Sequence, residues 1–183
     1  MILNEKLFDK EGFVFKREKI NHYNLTFSME NNNINLPKII DFGLIKLIYD
    51  LNPDVYEKVN IEKINDNEIT ATILMKHLFE DLGLPQRYSY INMNKTIEDN
   101  KIIFQSHSIK DKKPLNMPQD SQLMSIENLI CTCDVITEHK IHFSASIIFD
   151  KDMFVPPFVE KMFGMILHKI FKRIKQFIEK LSL

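Results

Sequence analysis

PPFVEKMFGMILHKIFKRIKQFIEKLSL, residues 156–183, is the stretch on which the fold turns. Its two leading prolines suit the first turn of a helix, where a missing N–H leaves no bond unmade. Beyond them Val159, Met162, Phe163, Ile166, Leu167, Ile170, Ile174, Phe177, Ile178 and Leu181 recur at steps of three and four, one sustained apolar stripe. At about 1.5 Å per residue such a helix is roughly 35 Å long, enough to cross a whole sheet. A stripe of that length needs a partner surface, and the preceding sequence supplies one.

From Val55 the hydrophobic period is two. Val55–Ile64, Glu68–Phe79, Arg87–Ile97, Lys101–Ile109, Leu123–Ile136 and Lys140–Phe149 read as strands rich in Ile, Thr, Tyr and Phe. Upstream, His22–Glu30 (HYNLTFSME) carries Tyr23, Leu25, Phe27 and Met29 on one side, which predicts a first strand. Between them Pro37 opens a helical pattern that stops at Asn52-Pro53. Gly43 in its middle weakens that helix by about 1 kcal/mol relative to Ala; a kink or two short helices also fit. Residues 1–21 are an N-terminal arm or an extra strand around Gly12-Phe13-Val14-Phe15.

The connections alternate in length. Asn65-Asp66-Asn67, Glu98-Asp99-Asn100 and Thr137-Glu138-His139 are tight turns, whereas Phe79–Gln86, Lys110–Gln122 and Lys151–Pro157 are long. In an antiparallel meander successive connections fall at opposite ends, so the long loops gather at one end. The expected fold is α+β, one domain over residues 1–183: a curved antiparallel sheet of about seven strands around a long C-terminal helix, with one elaborated mouth.

Composition narrows the function classes. The chain has 183 residues, 44% hydrophobic and 27% charged, the balance of an ordinary globular domain with a sizeable core. A net charge of −1 argues against a nucleic-acid partner. Residues 158–183 nevertheless hold six basic and two acidic residues, a local +4. That excess suits either transient contact with an anionic membrane surface or simply the negative end of the helix macrodipole. Four glycines and no glycine-rich phosphate loop exclude the usual nucleotide folds. No export leader is expected, since Glu5, Asp9 and Glu11 interrupt the N-terminus. Two cysteines then read as free thiols in a reducing, cytoplasmic setting.

Strand, helical segment Leu36–Asn52, six strands and the long helix from Pro156 follow one another in an order that resembles the helix-grip fold of the START and Bet v 1-like superfamily. The resemblance covers residues 22–181 and rests on element order. It implies a cavity between sheet and last helix that holds lipids, sterols, polyketides or other apolar molecules, or, in cyclase- or hydratase-type members, performs chemistry there. The chain departs from many plant members, which have a glycine-rich loop where Asn65-Asp66-Asn67 stands.

Four metal-capable side chains, Cys131, Cys133, His139 and His142, fall within twelve residues. Strand parity argues against zinc. Leu129, Cys131, Cys133 and Val135 share one face and should meet Ile141, Phe143, Ala145 and Ile147 across the hairpin, which turns His142 to the other face. No metal and no cofactor are expected. The predicted ligand-binding set is His77, Phe79, Tyr88, Tyr90, Phe143, Phe163, Ile166, Leu167 and Ile170. His77 shares parity with Ile69, Ala71 and Ile73, while the facing of His107 is open. Tyr88 and Tyr90 lie together on one face of their strand, either in the cavity or on the solvent side. Phe79 and Leu82-Gly83-Leu84-Pro85 form a loop apolar enough for a lid, a membrane-touching tip or a cap on the last helix. The leading reading is a non-catalytic carrier or sensor of a hydrophobic small molecule or lipid. One alternative is an interaction module with a self-filled core. The other is an enzyme, for which His77 with Tyr88 or Tyr90 is the only polar set to offer.

Overall fold

The computed structural model describes residues 4–153 and 155–182. In chain order these form β1 (Glu5–Lys10), β2 (Phe13–Lys19), β3 (His22–Glu30), a 3-10 turn (Leu36–Ile39), α1 (Phe42–Asp50), β4 (Tyr56–Asn65) and β5 (Glu68–Met75). After a second 3-10 turn (Glu80–Leu82) come β6 (Arg87–Glu98), β7 (Lys101–Ser108), β8 (Gln122–Leu123), β9 (Ile126–Thr137), β10 (Lys140–Phe149) and α2 (Pro157–Lys180). One sheet runs β1-β2-β3-β10-β9-β7-β6-β5-β4, antiparallel throughout, with the two-residue β8 added parallel to β6. The earliest predicted strand and the last are neighbours: Met29 stands opposite Ile141 and Tyr23 opposite Ile147.

The strand count exceeds the expected seven because Glu5–Lys10 and Phe13–Lys19 form a hairpin and β9 is preceded by β8. Glu11 (φ 55°) and Gly12 (φ 80°) turn β1 into β2 through left-handed backbone, which glycine adopts without penalty. Phe13 and Phe15 are buried from β2, while β1 contributes Phe8. These rings meet α2 at Gly164, where an added Cβ would lie 2.9 Å from Phe15 Cδ1 and 3.2 Å from Phe8 Cδ1. The glycine therefore lets helix and hairpin touch.

The helical segment after β3 is two short helices, one of the alternatives open from the sequence. Asp41 caps α1, its carboxylate accepting from the N–H groups of Gly43 (2.7 Å) and Leu44 (3.2 Å). Gly43 thus sits in the first turn of α1, where a Cβ would press within 2.9 Å of the Asp41 carboxylate. β5 is shorter than expected, ending at Met75, so His77 and Phe79 belong to the following loop.

The long connections converge as expected. Lys110 pairs with Asp150 at 2.8 Å, joining the second and third loops. The Gln122 N–H donates to Gln86 O at 2.9 Å, joining the first and second. Buried Asn21, in the β2–β3 turn, ties itself to the third through Asp150 O (2.8 Å) and Met153 O (2.9 Å).

Candidate functional site

Between the concave face of the sheet, α1 and α2 lies a cavity of about 210 Å³. α2 contributes Phe163, Ile166, Leu167 and Ile170 to its wall, and α1 contributes Ile45, Ile48 and Tyr49. β3 and β10 supply Phe27 and Phe143, whose ring centroids are 4.8 Å apart. Alternate residues Ser89, Ile91 and Met93 enter from β6. Engineered cavities of about 150 Å³ accept benzene, so a volume of this order admits a small apolar molecule.

Few polar atoms face this space. Tyr49 and Tyr56 meet edge-on inside it, with centroids 4.8 Å apart at 82°. Neither hydroxyl has a protein hydrogen-bond partner among the described residues. Burial pushes both phenols above the usual tyrosine range, and the nearness of Tyr56 and Cys131 raises Tyr49 further. Both side chains are half-buried and line the cavity. Ser89, Cys131, Cys133 and, at the start of α1, Asp41 complete the polar lining.

The hairpin register is the one the strand parity predicted: Val135 faces Ile141, Cys133 faces Phe143, Cys131 faces Ala145 and Leu129 faces Ile147. Burial pushes both thiols up to about 12, so they stay protonated. His142 stands on the other face, its Nδ1 3.1 Å from Ser28 Oγ, and His139 Nδ1 lies 2.8 Å from Ile34 O. The four do not converge, and no group of three or more metal-capable side chains occurs among the described residues.

Of the predicted ligand set, Phe143, Phe163, Ile166, Leu167 and Ile170 line the cavity. The other four lie elsewhere. His77 is exposed beyond the end of β5, and its Nε2 sits 2.6 Å from Leu84 O, bracing the loop. Phe79, half-buried, opens the 3-10 turn of that loop. Tyr88 and Tyr90 lie on the outer face of β6, since the alternate residues Ser89 and Ile91 take the cavity side. Tyr88 is nonetheless buried, with Lys113 Nζ 5.4 Å from its ring centroid. The 110–121 loop folds back there, held by Lys113 donating to Gln119 O (2.9 Å) and Ser121 O (2.7 Å). His77 and these tyrosines thus form no shared polar site in the cavity. His107 is exposed on β7.

Sequence reasoning missed Tyr49, Tyr56 and the whole α1 wall as site residues.

Most cations of α2 are engaged. Arg173 and Lys169 pair with Asp54, and together they hold its carboxyl far below the usual carboxylate range. Lys172 pairs with Glu11 at 2.7 Å, and Lys175 lies 3.7 Å from Glu179. No described helix is long and apolar enough to cross a membrane.

No family model and no curated protein sequence matches the chain. Solved structures match over nearly its full length. The fold is a helix-grip fold, a curved antiparallel sheet around a long C-terminal helix, shared with solved START-domain structures. Among the structures of similar fold is the human StarD13 lipid transfer and protein localization domain, at TM-score 0.70 and 9% identity, covering 95% of this chain and 88% of that one. Human STARD10 superposes at TM-score 0.70 and 11% identity over 92% of this chain and 70% of its own. A StAR-related lipid transfer protein fragment from Xanthomonas axonopodis gives 0.63 at 10% identity, covering 94% of this chain and 97% of its own.

Proposed function

We propose that the chain binds a hydrophobic small molecule in the cavity between sheet and α2 and acts as its carrier or sensor. The observation that carries this reading is the cavity itself: about 210 Å³, walled by aliphatic and aromatic side chains, with a few hydroxyl and thiol groups and one carboxylate, Asp41, in its lining. The fold shared with proteins described as lipid-transfer domains supports it. Apolar burial would drive association at about 25 cal/mol per Å² before the costs of ordering. The volume suits a small molecule or one short chain. The Tyr49 and Tyr56 hydroxyls would orient a single polar atom of an otherwise apolar guest. The free thiols fit a reducing, cytoplasmic setting. For transient contact with a membrane surface, the outer side of α2 offers exposed Phe158, Met162 and Met165 beside Lys161.

Filling the cavity tests the reading. Leu167→Trp should abolish uptake of an apolar fluorescent dye while the circular dichroism spectrum stays that of the folded protein. Native mass spectrometry of protein from its source should show a co-purifying small molecule. A wild-type protein that takes up no apolar probe would leave the self-filled interaction module as the better account.

A further inference from the structure

Where α2 meets the β1–β2 hairpin, Glu160, Gly164, His168 and Lys172 recur at every fourth position and so share one face of the helix. Glu160 accepts from Tyr23 and Arg17, and Arg17 closes on Glu5. Gly164 takes the rings of Phe8 and Phe15 against its backbone. One turn further on, His168 is wedged into the hairpin itself. Its ring centroid lies 5.5 Å from that of Phe8 and 5.0 Å from that of Phe13, at 74° and 88°. The side chain is only 15% exposed.

The surroundings of this ring suit its neutral form. Its Nε2 is buried and, although 3.2 Å from Glu11 Oε2, out of line for a hydrogen bond. Glu11 is already engaged: Lys172 donates to its Oε1 at 2.9 Å and lies 2.7 Å from its Oε2. The other charges nearby are positive. Lys10 stands beside Glu11 at the hairpin turn, and Lys175 lies over the Phe13 ring at 5.7 Å. A proton on His168 would add a third cation, with Lys10 and Lys172, around one shared carboxylate. It would do so between two phenyl rings that exclude water, where an under-compensated charge is costly. Burial pulls the imidazole pKa below the ordinary 6.5; Glu11 opposes this, and Lys172 and Lys10 add to the fall.

We propose that His168 is a pH-sensitive latch between α2 and the β1–β2 hairpin: neutral, it seals the aromatic joint, and protonated, it loosens the hairpin from the helix. A histidine that takes its proton less readily folded than unfolded leaves stability intact above about 6.5. Below that value stability falls, because the unfolded or opened state binds the proton better. The hairpin is the element that yields, since β1 is the sheet's edge strand and pairs with β2 alone. The same helix presents Ile166, Leu167 and Ile170 to the cavity, so the latch also sets how firmly one cavity wall is held.

Hydrogen exchange of the β1 and β2 amides, followed by NMR from pH 8 to pH 5 and corrected for intrinsic exchange, tests the latch. That range stays above the ordinary carboxylate values. In wild-type protein the His168 ring signals should titrate below 6.5. Hairpin protection should fall about threefold or more toward pH 5, tenfold for each unit by which His168 titrates below 6.5. His168→Gln should abolish the fall. Lys172→Gln removes a competing cation and should shrink it, whereas Glu11→Gln removes the lone counter-charge and should deepen it. A ring that titrates at or above 6.5, protection that does not change across the range, or a fall that survives His168→Gln would overturn the latch. Should His168→Gln fail to fold, the wild-type titration and the two charge variants decide: changes of the same sign in both variants, or none in either, would overturn it as well.

Discussion

The two flanks of α2 are built on opposite plans. Against β1, β2 and the Tyr23 end of β3 the helix is packed ring on ring. Phe15 stacks on Tyr23 at 5.7 Å and 9°, and His168 meets the edge of Phe13 at 5.0 Å and Phe8 at 5.5 Å. Gly164 lets these rings reach the helix backbone. Glu160, buried, accepts from the Tyr23 hydroxyl at 2.6 Å and from Arg17 at 2.7 Å. Toward α1 and β4 to β6 the same helix presents Ile166, Leu167 and Ile170 to empty space. One helix is clamped on one flank so that the other can stay hollow. Most of the helix's hold on the sheet should therefore come from the filled flank, and the hollow flank should tolerate change.

The sharpest way to break that contrast is to truncate matched residues on each side. Phe15→Ala removes a fully buried ring from the filled flank and should cost about 3–5 kcal/mol, read by urea unfolding. Leu167→Ala, on the cavity wall, should cost about 2 kcal/mol, the low end for its type, because little packing is lost where space already exists. Equal losses at the two positions would mean that the hollow flank is as tightly packed as the other. Uptake of a larger apolar dye should rise in Leu167→Ala.

Much of this plan was legible before the structure. The α2 stripe, the first strand and the faces of Cys131 and Cys133 followed from periodicity alone, because each has one clearly apolar parity. Where both parities are apolar the reading failed. On β6 Tyr88 and Tyr90 compete with Ile91 and Met93, and the outer position could be taken for the inner one because the 110–121 loop buries Tyr88 from outside. His77 was misplaced because β5 ends at Met75, beyond which strand parity has no meaning. The β1–β2 hairpin was not resolved as two strands, since its alternation is short and its Glu11-Gly12 turn carries a weak signature.

A finer probe concerns the polar atoms of the hollow flank. Tyr56→Phe should barely alter stability, since its hydroxyl bonds to no described residue. It should weaken 2-naphthol about fivefold, the worth of one hydrogen bond near 1 kcal/mol, while naphthalene affinity stays the same. A parallel loss for both guests would mean that the ring shapes the wall and its hydroxyl orients nothing.

The smallest effect is expected where α1 is fastened to α2, at the hollow flank's outer edge. Arg173 donates to Asn52 Oδ1 at 3.0 Å and, with Lys169, pairs with Asp54. That pairing depresses the Asp54 carboxyl below its unfolded value of about 4. A depressed carboxylate stabilises the fold fully above the unfolded value, and its contribution is lost as pH falls through the folded one. Asp54 is 40% exposed, so solvent screens the pair and its worth should stay below about 1 kcal/mol. Asp54→Asn should therefore unfold at slightly lower urea concentration than wild type at pH 7, and the gap should narrow as pH drops below about 4. High salt should narrow it as well. A gap that persists unchanged at pH 2 or in molar salt would show that Asp54 holds α1 through its hydrogen-bonding shape and not its charge. The wall of the cavity would then be fixed more rigidly than an exposed ion pair allows.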